Sequence, residues 1–222
     1  METETSAVST TPSATLERKG GYYEIDGVFY PSVTTILQVI NKPALLGWYA
    51  KLGKEEAERV KQESADFGKT VHELIRVLLD GGTVDYDKTD DIVGGCLRSF
   101  EEWVRLVEFR PLLTEQTVHS KIHQFAGTLD AIGLVYGIPC LIDWKTSSGV
   151  YDEMKLQVAA YDVAVKEMAL AQPTLHLIVR FDKKTKRCHP QTVSVGSEVF
   201  GAFLNAKDLW TWLQAAKSPS AT

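Results

Sequence analysis

Between residues 113 and 146 the chain reads as three consecutive strands, 113 to 120, 127 to 136 and 140 to 146, and two of them carry an aspartate in otherwise apolar surroundings. The linker Tyr136-Gly-Ile-Pro-Cys140 is short and contains Gly137, so the second and third strands should be neighbours joined by a tight turn. That pairing brings Asp130, in Gly127-Thr-Leu-Asp130, laterally close to Asp143, in Leu141-Ile-Asp-Trp-Lys-Thr146. Side chains alternate along a strand, so Asp143 and Lys145 share one face while Ile142 and Trp144 take the other. Two acids and an ammonium should therefore converge.

Two carboxylates a few ångströms apart repel, and both stay ionised only if a cation compensates them. Hard oxygen donors suit Mg2+ or Mn2+, which would neutralise charge on a reacting phosphoryl group, with Lys145 stabilising the developing oxyanion. The tripeptide Asp143-Trp-Lys145 is equally compatible with a salt bridge on a half-exposed sheet. Its surroundings sharpen the choice. Residues 154 to 165 have helical periodicity, with Leu156, Ala159, Ala160, Val163 and Ala164 as the packing stripe. Gln157 and Tyr161, four apart, stack on one side of that helix, where an amide and a phenol can reach a phosphate or the lysine. Upstream, residues 66 to 75 read as a helix whose Val71, Leu74, Ile75 and Leu78 face the core, with His72 bordering the stripe as a ligand or a hydrogen-bonded packing residue.

In order, Gly68-x3-His72, Gly127-x2-Asp130, Asp143-x-Lys145 and Gln157-x3-Tyr161 resemble the motif series of the RecB-like branch of the PD-(D/E)XK nuclease superfamily. The segment Tyr30-Pro-Ser-Val-Thr-Thr-Ile-Leu37 and its continuation to Trp48 and Tyr49 look like the opening of phage and mitochondrial genome maintenance exonucleases of this group. The resemblance implies that His72, Asp130, Asp143 and the Trp144 carbonyl ligate the metal, and that Asp130, Asp143 and Lys145 are catalytic. It assigns Gln157 and Tyr161, with Thr146 and Ser147 just after the lysine, to the nucleic acid. The acid before the lysine is Asp143, where many relatives carry Glu, and the shorter arm would shift the metal slightly. It further implies an α/β fold: a restriction-endonuclease-like core with a central mixed sheet flanked by helices, under an N-terminal helical roof.

Other candidates are weaker. Glu115, in Leu113-Thr-Glu-Gln-Thr-Val-His-Ser120, suits a partly exposed strand as well as it suits a further carboxylate near the site, since alternation groups it with Thr117 and His119. His119 and His123 read as surface histidines.

A chain of 222 residues that is 44% hydrophobic and 24% charged can bury one full core. One domain over 21–217 is expected, divided into a hairpin and helical roof (21–110) and a catalytic core (111–217), between a disordered tail over 1–20 and a short tail over 218–222. Glu2 and Glu4 argue against a transit peptide and no apolar run is long enough for a membrane span, so a cytoplasmic protein, bacterial or phage-encoded, is expected. Cys96, Cys140 and Cys188 are three and widely spaced, which excludes a four-cysteine iron–sulfur cluster and fits a reducing compartment.

A net charge of −5 sits poorly with a nucleic-acid binder, yet net charge does not fix the field in a cleft. Lys51, Lys54, Lys61, Lys69 and Arg76 form one local basic group, interleaved with Trp48 and Tyr49 in the manner of a single-strand groove. Lys183-Lys-Thr-Lys-Arg187 reads as a solvated hairpin turn.

The remaining layout is a hairpin over 21–30 turning at Asp26-Gly27, a short helix capped by Ser32, and helices over 54–79 and 90–108 split by Gly81-Gly82. Strands near 174–181 and 191–195 and a helix over 197–215 close it. The expected activity is a Mg2+- or Mn2+-dependent exonuclease on single-stranded or end-containing DNA, with a recombination or replication protein as partner. A structure-specific or nicking endonuclease, or a non-cutting nucleic-acid-binding accessory protein of recombination, remain alternatives.

Overall fold

A computed structural model describes residues 18–40 and 43–217, with the side chains of 43–46 and 217 left aside. Residues 1–17 and 218–222, where the tails were expected, lie outside the described residues; Arg18–Lys19 form a short strand β1. β2 (Tyr22–Ile25) and β3 (Val28–Pro31) make the expected hairpin, with Asp26 and Gly27 in the left-handed backbone region that such a turn demands. Ser32 caps α1 (Val33–Ile36) by accepting from the Thr35 N–H, and a 3-10 turn at Leu37–Val39 follows.

Next come α2 (Pro43–Leu52), α3 (Lys54–Leu79) and α4 (Asp91–Leu106), the last capped by the Asp90 carboxylate. The sheet is built from β4 (Arg110–Ser120), β5 (Phe125–Val135), β6 (Ile138–Lys145), β7 (Leu175–Asp182) and β8 (Arg187–Thr192) in that spatial order. Only β6 and β7 run parallel, because α5 (Asp152–Glu167) intervenes and returns the chain to the same edge of the sheet. α6 (Ser197–Lys217) closes the fold. The last strand begins earlier than the sequence suggests: the basic run turns after Lys186, and pairing with β7 overrides the polar character of 187–192.

The sheet is covered on both faces, which gives a mixed α/β fold with flanking helices. One core packs α1, α5 and α6 against Leu129, Ile132, Leu141 and Ile178. The other packs α3 and α4 against Ala131, Ile142, Trp144 and Val179, with Phe100, Trp103 and Trp144 in edge-on or tilted contact. Leu141 and Ile142 thus enter opposite cores, as alternation requires. All three cysteines belong to the second core or pack against it.

Helix α5 differs from its predicted stripe. Leu156 and Val163 are only half-buried, whereas Met154, Val158, Tyr161 and Val165 are buried along with Ala159, Ala160 and Ala164. The helix lies between the sheet and α6, so it buries most of its circumference and the single-face reading fails. No helix of the described residues is long and apolar enough to cross a membrane.

Candidate active site

Asp130 occupies a gap in the hydrogen-bonded sheet. The β5–β6 ladder begins only at Ala131 opposite Ile142, and on the other side pairing jumps from Thr114–Ala131 to Gln116–Leu129. Where the next β5–β6 rung would lie, the Asp130 side chain substitutes for the main chain: the Trp144 N–H donates to its Oδ2 at 2.7 Å. Asp130 therefore ties the end of β6 to β5 and aims its second oxygen elsewhere, to His72 Nδ1 on α3, 3.5 Å from Oδ1. Burial alone would raise the Asp130 pKa, but His72, Lys145 and the Trp144 N–H together hold it below the usual carboxylate value. His72 responds reciprocally: burial pulls it down, and the Asp130 carboxylate more than reverses this, raising its pKa.

Asp143 lies deeper, at 1% exposure. Lys145 Nζ stands 2.5 Å from its Oδ2, a charge contact outside hydrogen-bond geometry, and Oδ1 has no partner at all. Burial drives its pKa up to about 6, with Lys145 opposing and Asp130 reinforcing the rise. An orphaned carboxylate oxygen in a protein interior is costly, and a divalent cation is one partner that would satisfy it. Carboxylates and an imidazole are the donor set that Mg2+ or Mn2+ accepts, so these residues fit such an ion.

Lys145 is held from the opposite side by α5. Its ammonium donates to Gln157 Oε1 at 3.2 Å, and Gln157 Nε2 donates in turn to the Tyr161 hydroxyl at 3.2 Å. The expected i, i+4 neighbours thus form one chain ending on the lysine. Tyr161 is only 3% exposed, burial raises its pKa well above that of a free phenol, and its hydroxyl meets Gln157, which in turn meets Lys145.

Two glycines make this arrangement sterically possible. A Cβ on Gly127 would lie 2.5 Å from Tyr161 Cε1, and a Cβ on Gly68 would lie 3.0 Å from Thr146 Oγ1. The first lets α5 press the tyrosine ring onto β5; the second lets α3 pass the end of β6 closely enough for His72 to meet Asp130. The glycines of two sequence motifs are thus close-approach positions.

The site opens into a cleft of about 600 Å3 lined by Gly68, Lys69, His72, Arg76, Glu115 and Thr146, among others. Glu115, which from the sequence suits a partly exposed strand as well as a site, lines this cleft. One ligand-capable atom from each of His72, Glu115 and Asp130 lies within 4.8 Å of the others, whereas Asp143 falls outside this group. The Glu115 backbone is left-handed, φ +48°, at the rung the β4–β5 pairing skips between Thr114–Ala131 and Gln116–Leu129. No sequence signal marks a non-glycine residue for that conformation.

The remaining candidates are dispersed. Thr146 faces the cleft, but the Ser147 hydroxyl donates to the Gly149 carbonyl at 2.7 Å and so secures its own loop. The Trp144 N–H is engaged by Asp130, and its indole is core. Lys69 and Arg76 line the cleft, while Lys61 pairs with Glu58 and the Tyr49 hydroxyl donates to the same glutamate. In the other basic run, Lys183 sits over the Phe67 ring and Lys186 pairs with Asp91, so that turn staples the sheet to α3 and α4. His119 packs against Tyr30 and His123 against Phe200, both away from the cleft lining.

No protein-family model and no curated protein matches the chain. Solved structures do. A protein assigned as an exonuclease from Eubacterium rectale is similar over 87% of this chain and 83% of its own, at 9% identity and a TM-score of 0.53. An alkaline exonuclease from Laribacter hongkongensis, also solved in complex with dAMP, aligns over 84% of this chain and 88% of its own, with 12% identity and a TM-score of 0.43. At 9% identity the first of these likenesses speaks for the fold alone.

Proposed function

We propose that the protein is a divalent-cation-dependent deoxyribonuclease of the PD-(D/E)XK type, in its RecB-like branch, acting as an exonuclease on single-stranded or free-ended DNA. The observation that carries the reading is Asp143: a carboxylate at 1% exposure, one oxygen unpartnered and the other against Lys145, within electrostatic reach of Asp130 and His72. A purely structural ion pair gains nothing from leaving a buried oxygen unsatisfied. Similarity in fold to a solved protein assigned as an exonuclease agrees with it.

His72, Asp130 and Asp143 would hold the cation. Bound there, it would supply Lewis-acid stabilisation of a phosphodiester and lower the pKa of a water. The chain's own residues do the rest. Gln157 and Tyr161 hold the Lys145 ammonium on the Asp143 side of the site, where a fixed positive charge can stabilise the pentavalent oxyanion. Asp130 keeps β6 in place through the Trp144 N–H, so the acid and lysine at its end do not drift. Lys69 and Arg76 on the cleft wall give a phosphate backbone two cationic contacts in a chain of net charge −5.

The test is digestion of end-labelled linear DNA beside circular single-stranded DNA, with Mg2+ or Mn2+, by wild type, Asp130→Ala and Lys145→Ala. Cutting of the linear substrate alone, abolished in both variants, is expected. A folded Lys145→Ala that digests at the wild-type rate would return the protein to the class of non-cutting binding modules, and any residual digestion to a contaminant.

A further inference from the structure

We propose that Glu115 is a direct ligand of the divalent cation, sharing it with His72 and Asp130. The inference deepens the cation-dependent reading above and rests on it. The three side chains come from three elements, α3, β4 and β5, which sequence places far apart and only the fold assembles. Their donor atoms lie within 4.8 Å of one another, and His72 Nδ1 is already 3.5 Å from Asp130 Oδ1. Donors about 2.1 Å from a common octahedral ion stand roughly 3.0 Å apart when adjacent and 4.2 Å when opposite, so a closure of at most about 2 Å would bring all three onto one centre.

Glu115 faces the cleft without an ion pair among the described residues, although Arg76 lines the same wall. A second observation, the one that carries the cation-dependent reading itself, points to a ligand at the same site. Asp143, outside the triad but in electrostatic contact with Asp130 and His72, keeps a fully buried oxygen without a partner. The backbone supports the same role. Glu115 is held left-handed between two paired neighbours, Thr114 opposite Ala131 and Gln116 opposite Leu129, at the skipped rung that lies across from Asp130.

The experiment is Mn2+ binding to the chelator-stripped full chain without DNA, by calorimetry or by the free-Mn2+ EPR signal, for wild type, Glu115→Gln, Glu115→Gly and Asp130→Asn. Glycine accepts the left-handed backbone without strain, so Glu115→Gly removes the carboxylate from a chain that still folds. At least a tenfold rise in Kd is expected for both Glu115 variants, with unchanged far-UV circular dichroism. A Kd within twofold of wild type in Glu115→Gly, with binding lost in Asp130→Asn, overturns the role of Glu115 and leaves the cation-dependent reading standing. A wild-type chain that binds no Mn2+ at millimolar concentration overturns both.

Discussion

Replacing Gly127 by alanine tests whether the site is assembled by close approach. The added methyl would meet Tyr161 Cε1 at 2.5 Å, the hydroxyl oxygen at 3.0 Å and Cζ at 3.1 Å. Ordinary carbon contacts are about 3.5 to 4.0 Å, so the ring must retreat by roughly 1 Å. It has little room, since Tyr161 packs in a core with Phe125, Leu129 and Val158, all at 0% exposure. Overpacking of this kind costs about 1–3 kcal/mol. Retreat by that distance also breaks the 3.2 Å bond from Gln157 Nε2 to the phenol, worth about 1 kcal/mol. A total of about 2–4 kcal/mol corresponds to a Tm lowered by roughly 5–12 °C in a chain of this size. Urea denaturation of the metal-free protein would measure it, for Gly127→Ala, Tyr161→Leu and the double variant. Because leucine lacks the clashing ring atoms, the double variant should be more stable than the sum of the two losses by at least about 1 kcal/mol. A Gly127→Ala protein within about 0.5 kcal/mol of wild type, or strict additivity, would refute the close-approach argument.

Asp143→Asn should change how stability depends on pH in the metal-free protein. The carboxyl's folded pKa, about 6, lies above its ordinary 3.8, so the folded state holds the proton more tightly; this group's contribution to stability is fully present below 3.8 and is lost as pH rises through about 6. The gap corresponds to about 3 kcal/mol, and between pH 4 and pH 7.5 wild type should lose about 2 kcal/mol more stability than the asparagine variant does. An identical pH profile in both would contradict a buried, uncompensated carboxylate. Gln157→Ala should lower kcat on the order of tenfold while leaving KM near wild type, because it frees Lys145 without touching the cleft wall; single-turnover kinetics that show a change in KM alone would instead place Gln157 against the substrate. Charge reversal at Lys69 and Arg76 together should weaken single-stranded DNA binding and reduce the slope of log K against log salt by about 0.7 for each lost phosphate contact, and an unchanged slope would remove both from the binding surface.

Much of this was legible in the chain. Strict alternation in residues 141 to 145 assigned Asp143 and Lys145 to one face and Ile142 and Trp144 to the other, because the period of a strand is a local, steric property. A short linker with Gly137 was enough to make β5 and β6 neighbours, and helical spacing was enough to line up Gln157 with Tyr161. What local periodicity could not supply was any fact that depends on two elements meeting. Why positions 68 and 127 are glycine is decided by Thr146 and Tyr161, which arrive on other elements. Helix α5 lost its single apolar stripe because α6 covers its second side. Glu115 comes near His72 and Asp130 through the pairing of β4 with β5 and the approach of α3, neither of which a pattern within β4 contains. Sequence determined which residues carry charge and which way each strand presents them; tertiary contact alone decided which of those charges share a cleft, since strand pairing and helix packing set distances between residues that no short-range pattern relates.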